Sequence, residues 1–213
     1  VRMQALIAQN ADDLSRHHRQ LTEDLKKKPH DVDLLYALAL TEDQLGRPGA
    51  ALELLNKALA IAPEDVDIHK SIGLISLKTG DSAGAAAHLL KASKLRPEDE
   101  QITRALGKAY FTAGEYQKSL AYYQDLEAKF PDESNILYQI AMCQGKLNRP
   151  DESHYYFGLY FKKENKKESA LFHLRKALPY YPAGSSRAAA ISAAISELTA
   201  GKPDKPQADE KND

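Results

Sequence analysis

Residues 66–99 read VDIHKSIGLISLKTGDSAGAAAHLLKASKLRPED, and their punctuation decides the fold. With Val66 as position 1, Gly73, Gly80, Ala85, Ala92 and Pro97 fall at positions 8, 15, 20, 27 and 32. The same marks recur on both sides, at the even spacing of Pro63, Pro97 and Pro131. A unit from Val32 carries Gly46, Ala51, Ala58 and Pro63 at positions 15, 20, 27 and 32. A unit from Glu100 carries Gly107, Tyr110, Gly114, Ser119, Tyr123 and Pro131 at positions 8, 11, 15, 20, 24 and 32. A fixed period of this size marks a stack of small supersecondary units.

Each mark has a physical reason. Leucine and alanine dominate between the marks and strand-like alternation is absent, so each unit reads as two helices. The glycine at position 15 supplies the left-handed residue that ends the first helix. Pro48 suits the first turn of a second helix. Asp65 and Asp99 each follow a proline by two residues and are placed to cap the next helix. Small residues at positions 8, 20 and 27 belong where helices approach most closely, and a bulky side chain there would cost about 1–3 kcal/mol.

These positions resemble the tetratricopeptide repeat, a pair of antiparallel helices per unit of this length, over at least residues 32–182. The resemblance implies an all-α fold, a right-handed α-α superhelix of about five helix pairs.

The next proline in the series, Pro182, comes one and a half periods after Pro131. A fourth unit starts at Ser134 with Ala141 at position 8, and Asn148 stands where glycine stood before. Its second helix, opened by Pro150, also reads as the first helix of a unit from Asp151. In that frame Gly158, Asn165, Ala170, Ala177 and Pro182 take positions 8, 15, 20, 27 and 32. One helix is therefore expected to be shared between two overlapping pairs. A solenoid tolerates a lost or gained half-unit because each helix touches only its neighbours. Alternatively, the shared helix turns a different face inward and reshapes the groove.

The expected organisation is an N-terminal helix or helical half-repeat over 1–31 and an array over 32–182 with units from 32, 66, 100, 134 and 151. A capping helix follows over 183–200, centred on SSRAAAISAAISELTA, and covers the apolar face of the last repeat. The tail 201–213, GKPDKPQADEKND, is polar with two prolines and is expected to be disordered. The chain opens on Val1 inside a helical-looking stretch, so it reads as an excerpt of a longer protein with any targeting segment removed.

A net charge of −1 gives the chain no bulk attraction for nucleic acid or anionic lipid, and neither is expected as a partner. No run of 18 apolar residues exists, so no membrane insertion is expected. Cys143 is the single cysteine, which excludes an internal disulfide. It lies within an apolar helix and reads as core. His17 and His18 are adjacent and point about 100° apart on a helix, and His69, His88, His154 and His173 are scattered, with no H-E-x-x-H and no Cys/His cluster, so no catalytic residue, metal ligand or cofactor is assigned.

Binding is the better expectation. In the repeat family the first helices line the concave groove through positions 2, 5, 9 and 12. That resemblance nominates Tyr36, Leu40, Lys70, Leu74, Leu77, Arg104, Lys108, Phe111, Tyr138 and Met142, with Lys146 at the adjoining position 13. Aromatic and aliphatic anchors mixed with cations suit an extended peptide or a partner protein. The family's carboxylate clamp is not met, because Leu74 and Ala105 stand where that pattern needs polar groups. Of sixteen Tyr and Phe residues, fifteen follow residue 109. They either fill wider helix gaps or furnish exposed anchors, Tyr138 and Tyr155 first among them. Lys162, Lys163, Lys166 and Lys167 read as a solvated turn.

The stretch DESHYYFGLYFKKENKKESALFHLRKAL, residues 151–178, resembles the C-terminal repeats of bacterial Ste-type zinc metallopeptidases, a group that includes the β-barrel assembly-enhancing protease. That resemblance implies a domain that recruits substrate or partner to a catalytic domain upstream, where any zinc would reside. It also implies a periplasmic or membrane-associated setting; without it, a cytoplasmic stand-alone adaptor or assembly factor is the alternative. The sequence leaves the oligomeric state open.

Overall fold

The computed structural model describes residues 11–200. Among these the fold is all-α, with eleven helices in adjacent packed pairs and no strand. The expected disordered tail, and the first ten residues of the expected N-terminal helical segment, lie outside the described residues. The chain divides into two compact units, Val1–Tyr122 and Tyr123–Asp213.

The first unit contains α1 (Ala11–Lys27), α2 (Val32–Gln44), α3 (Pro48–Ile61), α4 (Val66–Thr79), α5 (Ser82–Leu95), α6 (Glu100–Thr112) and the start of α7 (Tyr116–Lys129). Capping follows the proline spacing. The Asp65 carboxylate accepts from the backbone N–H groups of Asp67 and Ile68 at 3.0 and 3.1 Å, and Asp99 from Ile102 at 3.1 Å. Asp31, two residues after Pro29, does the same for α2. These bonds satisfy amide donors that the first helical turn leaves without partners. Gly80 ends α4 at φ +88°, a region costly for a residue with a Cβ.

The core of this unit is built from the small-residue positions. Leu35, Ala39, Ala51, Leu55, Ala58, Ile68, Ile72 and Ile75 form one apolar cluster. Ala85, Leu89, Ala92, Ile102, Leu106 and Ala109 belong to a second. At Gly73 the chains nearly touch: a Cβ there would sit 2.5 Å from Leu89 Cγ and 3.2 Å from the Ala85 carbonyl oxygen.

The second unit contains the rest of α7, then α8 (Ser134–Lys146), α9 (Pro150–Lys163), α10 (Lys167–Ala177), a single 3-10 turn (Leu178–Tyr180) and α11 (Ser186–Ala200). The turns after α8 and α9 hold Asn148 and Asn165 at positive φ, in the left-handed region, where asparagine stands in for glycine.

Helix α9 is shared, as the late proline implies. Toward α8, Ser153 Oγ donates to the Ala141 carbonyl at 2.9 Å. This repeats the Ser119 bond to the Gly107 carbonyl, 2.8 Å, between α7 and α6. Toward α10, a Cβ on Gly158 would lie 2.6 Å from Leu174 Cγ. Residues five apart do not share a side of an α-helix, so Ser153 and Gly158 look to different neighbours. Two faces thus serve two hairpins. α11 closes the stack by burying Ala188, Ile191 and Ala194.

Candidate partner-binding surfaces

In the first unit, bonds between residues roughly one period apart set the first helices side by side. The Tyr36 hydroxyl of α2 is 3.0 Å from Ser71 Oγ of α4, and Lys78 of α4 donates to Asp43 of α2 at 2.5 Å. Lys70 of α4 donates to Asp99 at the start of α6 at 2.9 Å. The nominated residues lie along this row of helices. Leu40, Leu74 and Leu77 are half-buried, and Phe111 is half-buried with its ring edge-on to Tyr116, centroids 5.3 Å apart.

The cations of this row differ in availability. Lys70 and Asp99 are only 18% and 12% exposed, so that pair is a structural tie between helices. Burial pushes the Asp99 carboxyl up, but the Lys70 ammonium and the backbone N–H groups outweigh it and hold it below the usual aspartate value. Arg104 is tied to Glu100 one turn earlier on α6. Both side chains, expected to meet a partner's carboxylates, already have carboxylates of their own. Lys108 is exposed and, among the described residues, has no ion-pair partner. An ammonium of that kind is the one able to receive an incoming carboxylate without first breaking a bond.

In the second unit, Tyr138 of α8 is 36% exposed. Its ring is held against Phe157 and Tyr160 of α9 at centroid distances of 5.7 and 5.2 Å. Met142 is half-buried one turn on. Lys146, at the end of the same helix, is exposed and has no ion-pair partner among the described residues. For Tyr155, left open between core filling and an exposed anchor, the structure favours the first: it is buried, at 9% exposure. The Arg187 guanidinium of α11 covers its ring at 4.1 Å and also reaches Glu152 at 3.3 Å. The cap places α11 over that face of α9, which the sequence pattern of α9 alone does not reveal. Lys162 and Lys163 are likewise not merely solvated: they pair with Glu197 and Asp132.

Around the same cap, Tyr181 donates to Glu152 at 2.9 Å and Tyr156 donates to Glu127 at 3.3 Å. Burial pushes the Glu127 carboxyl up and the Tyr156 phenol up to about 12, so the phenol stays protonated and keeps its hydrogen to donate.

Four histidines that are far apart in sequence meet in two pairs. His69 and His88 place their Nδ1 atoms 3.0 Å apart, and His154 and His173 place theirs 2.9 Å apart. Both pairs occupy positions 4 and 23 of their frames, and a comparison at those positions between the units from 66 and 151 would have exposed them. His69 Nε2 faces the Pro63 carbonyl at 2.9 Å, which can only accept. The neutral ring therefore carries its proton on Nε2, and Nδ1 accepts from His88. Burial holds His88 and His173 below the ordinary histidine value, each further lowered by its partner, and burial lowers His154 as well. Among the described residues no three His, Cys, Asp or Glu side chains gather as a metal site, and Cys143 is buried. No described helix is long and apolar enough to cross a membrane.

Comparisons with known proteins agree with this geometry. A crystal structure of MamA protein is 24% identical, with a TM-score of 0.67, covering 74% of this chain and 86% of that one. MamA from residue 41 to its end, from Desulfovibrio magneticus RS-1, is 19% identical with a TM-score of 0.68, covering 72% of this chain and 87% of that one. At these identities the likeness shows the fold. No curated protein sequence matches the chain. A family model described as tetratricopeptide repeat matches residues 3–142, more than half of the sequence, and the chain belongs to the tetratricopeptide repeat family.

Proposed function

We propose that the chain is a protein-interaction scaffold that receives an extended, partly apolar and acidic segment of another protein. Tetratricopeptide repeats bind proteins or peptides as a family, and the side chains here give that role particular residues. The observation that carries it is the division of labour among the cations. Lys70 and Arg104 are engaged within the fold, while Lys108 stands exposed on the row that presents Leu74, Leu77 and Phe111. Apolar anchors would supply affinity, and the unpaired ammonium would select a carboxylate. The second unit offers the same combination in Tyr138, Met142 and Lys146.

An array of extended peptides that varies apolar and acidic content tests this reading. Apolar-acidic peptides should be retained, and Lys108→Glu should weaken their binding about tenfold while helicity is unchanged. Tyr138→Ala should weaken whichever peptides engage the second unit. Peptide retention indifferent to both substitutions would sink the proposal.

A second reading adds a catalytic neighbour. The likeness of residues 151–178 to the repeats of zinc metallopeptidases favours a module that delivers substrate to such an enzyme. The gene that encodes this chain decides it: an H-E-x-x-H motif encoded upstream of Val1 would support the module, and its absence would leave the chain an adaptor or assembly factor in its own right.

A further inference from the structure

Helix α10 is apolar on two sides. One side buries Ala170, Leu174 and Ala177 in the hairpin core. On the other, Glu168, Leu171, Phe172, Arg175 and Lys176, with Pro179 of the turn that follows, line an open hollow. Phe172 is 55% exposed at its centre. His173 lies 5.1 Å away and His154 6.4 Å away between centroids, and Lys176 Nζ is 6.0 Å from the ring. Phe172 is an aromatic knob more than half open to water, and covering apolar surface of that kind is the main source of association energy between proteins.

The charges around the knob are arranged for a copy of the same helix. Glu168 lies four residues before Phe172 and Lys176 four residues after it, so all three share one stripe. Two such helices laid antiparallel about a two-fold axis through Phe172 bring Phe172 onto Phe172. The same operation brings each Glu168 to the other copy's Lys176, with Arg175 one residue nearer the axis. A parallel arrangement would instead set Glu168 against Glu168 and Lys176 against Lys176. We propose that the outer stripe of α10 is an isologous self-association surface, joining two copies of this chain through antiparallel α10 helices. The stripe shares no residue with the first-helix positions proposed to take a partner, so different substitutions test the two readings.

One helical stripe covers less than the roughly 800 Å² per partner of a standard stable interface. The dimer is therefore weak and concentration-dependent. The exposed ion pairs contribute little energy and chiefly fix direction and register.

Sedimentation velocity on the full 213-residue chain over a concentration series tests this. A reversible monomer–dimer equilibrium is expected, and Phe172→Glu should abolish it. Glu168→Lys and Lys176→Glu should each raise the dissociation constant about tenfold, and combining them should restore it. Lys108→Glu, which is not part of the α10 stripe, should leave it unchanged. These side chains are exposed, so helicity by circular dichroism should not move. A chain that stays monomeric at every concentration overturns the proposal and leaves the stripe to a foreign protein. So does a dimer indifferent to Phe172→Glu, or a charge exchange no tighter than its single variants.

Discussion

The hairpin α4–α5 in the first unit and the hairpin α9–α10 in the second share the same internal design. Each seats a position-8 glycine on a fully buried position-24 leucine, Gly73 on Leu89 and Gly158 on Leu174. Each pairs histidines from positions 4 and 23 through their Nδ1 atoms, at 3.0 and 2.9 Å. The frame of the second starts at Asp151, two and a half periods after Val66, so it is out of phase with the repeats before it. The local hairpin chemistry is therefore independent of the helix count that precedes it. What differs is the history of the first helix. α4 begins at its own aspartate cap, whereas α9 begins at Pro150 with no side-chain cap and has already served as the partner of α8. A helix recruited into two pairs must carry small residues on two faces, and Ser153 and Gly158 supply them.

The likeness of the two hairpins depends most on their leucines. Leu89→Ala and Leu174→Ala each remove a fully buried side chain and should cost about 2–5 kcal/mol, read as a loss of denaturation midpoint. If Leu174→Ala costs much less than Leu89→Ala, the shared hairpin is the looser one. Gly73→Ala and Gly158→Ala should each cost about 1–3 kcal/mol by overpacking, since each new Cβ would meet a leucine Cγ within 2.6 Å and a backbone atom at 3.2 Å.

Caps come next. Asp65→Ala should cost about 1 kcal/mol by freeing two amide donors. Asp99→Ala should cost more, because it also strands Lys70.

The histidine pairs predict a pH dependence with a definite sign. His88, His154 and His173 are held below the ordinary value near 6.5, so the unfolded chain takes up their protons first. Stability should be full above that value and fall as the pH drops below it toward the lowered folded values. Asp99, held below 3.8, acts only in a more acidic window. Denaturant titrations at mildly acidic and neutral pH should show the drop, and replacing one pair with Phe–Leu should remove its share. A slope equal in wild type and variant would mean the pair does not titrate as the geometry requires. The smallest effect should come from Asn148→Gly or Asn165→Gly, with a denaturation midpoint close to wild type, because better left-handed geometry is offset by a more flexible unfolded chain.

Much of the hairpin fold was legible because it depends on residues whose backbone or size is special. Gly80, Pro48, Pro150, Asp65 and Asp99 act on neighbours within four residues, so their spacing alone places turns, caps and helix starts. Asp31, two residues after Pro29, obeys the same rule. The sharing of α9 was legible for the same reason: both sets of small residues are written into one stretch. The candidate surface was less legible. The first-helix positions nominate side chains by register, but register does not say whether Lys70 is spent on Asp99 or whether Tyr155 is roofed by Arg187.

The helical hairpins, their even spacing and the half-period offset before Pro182 were settled by the order of amino acids alone, because they follow from short-range backbone chemistry. Three-dimensional packing was needed to decide which cations are already paired, which aromatics are covered, and that four scattered histidines meet in two pairs. Those outcomes depend on side chains brought together from distant parts of the sequence, where packing rather than local preference chooses the neighbour.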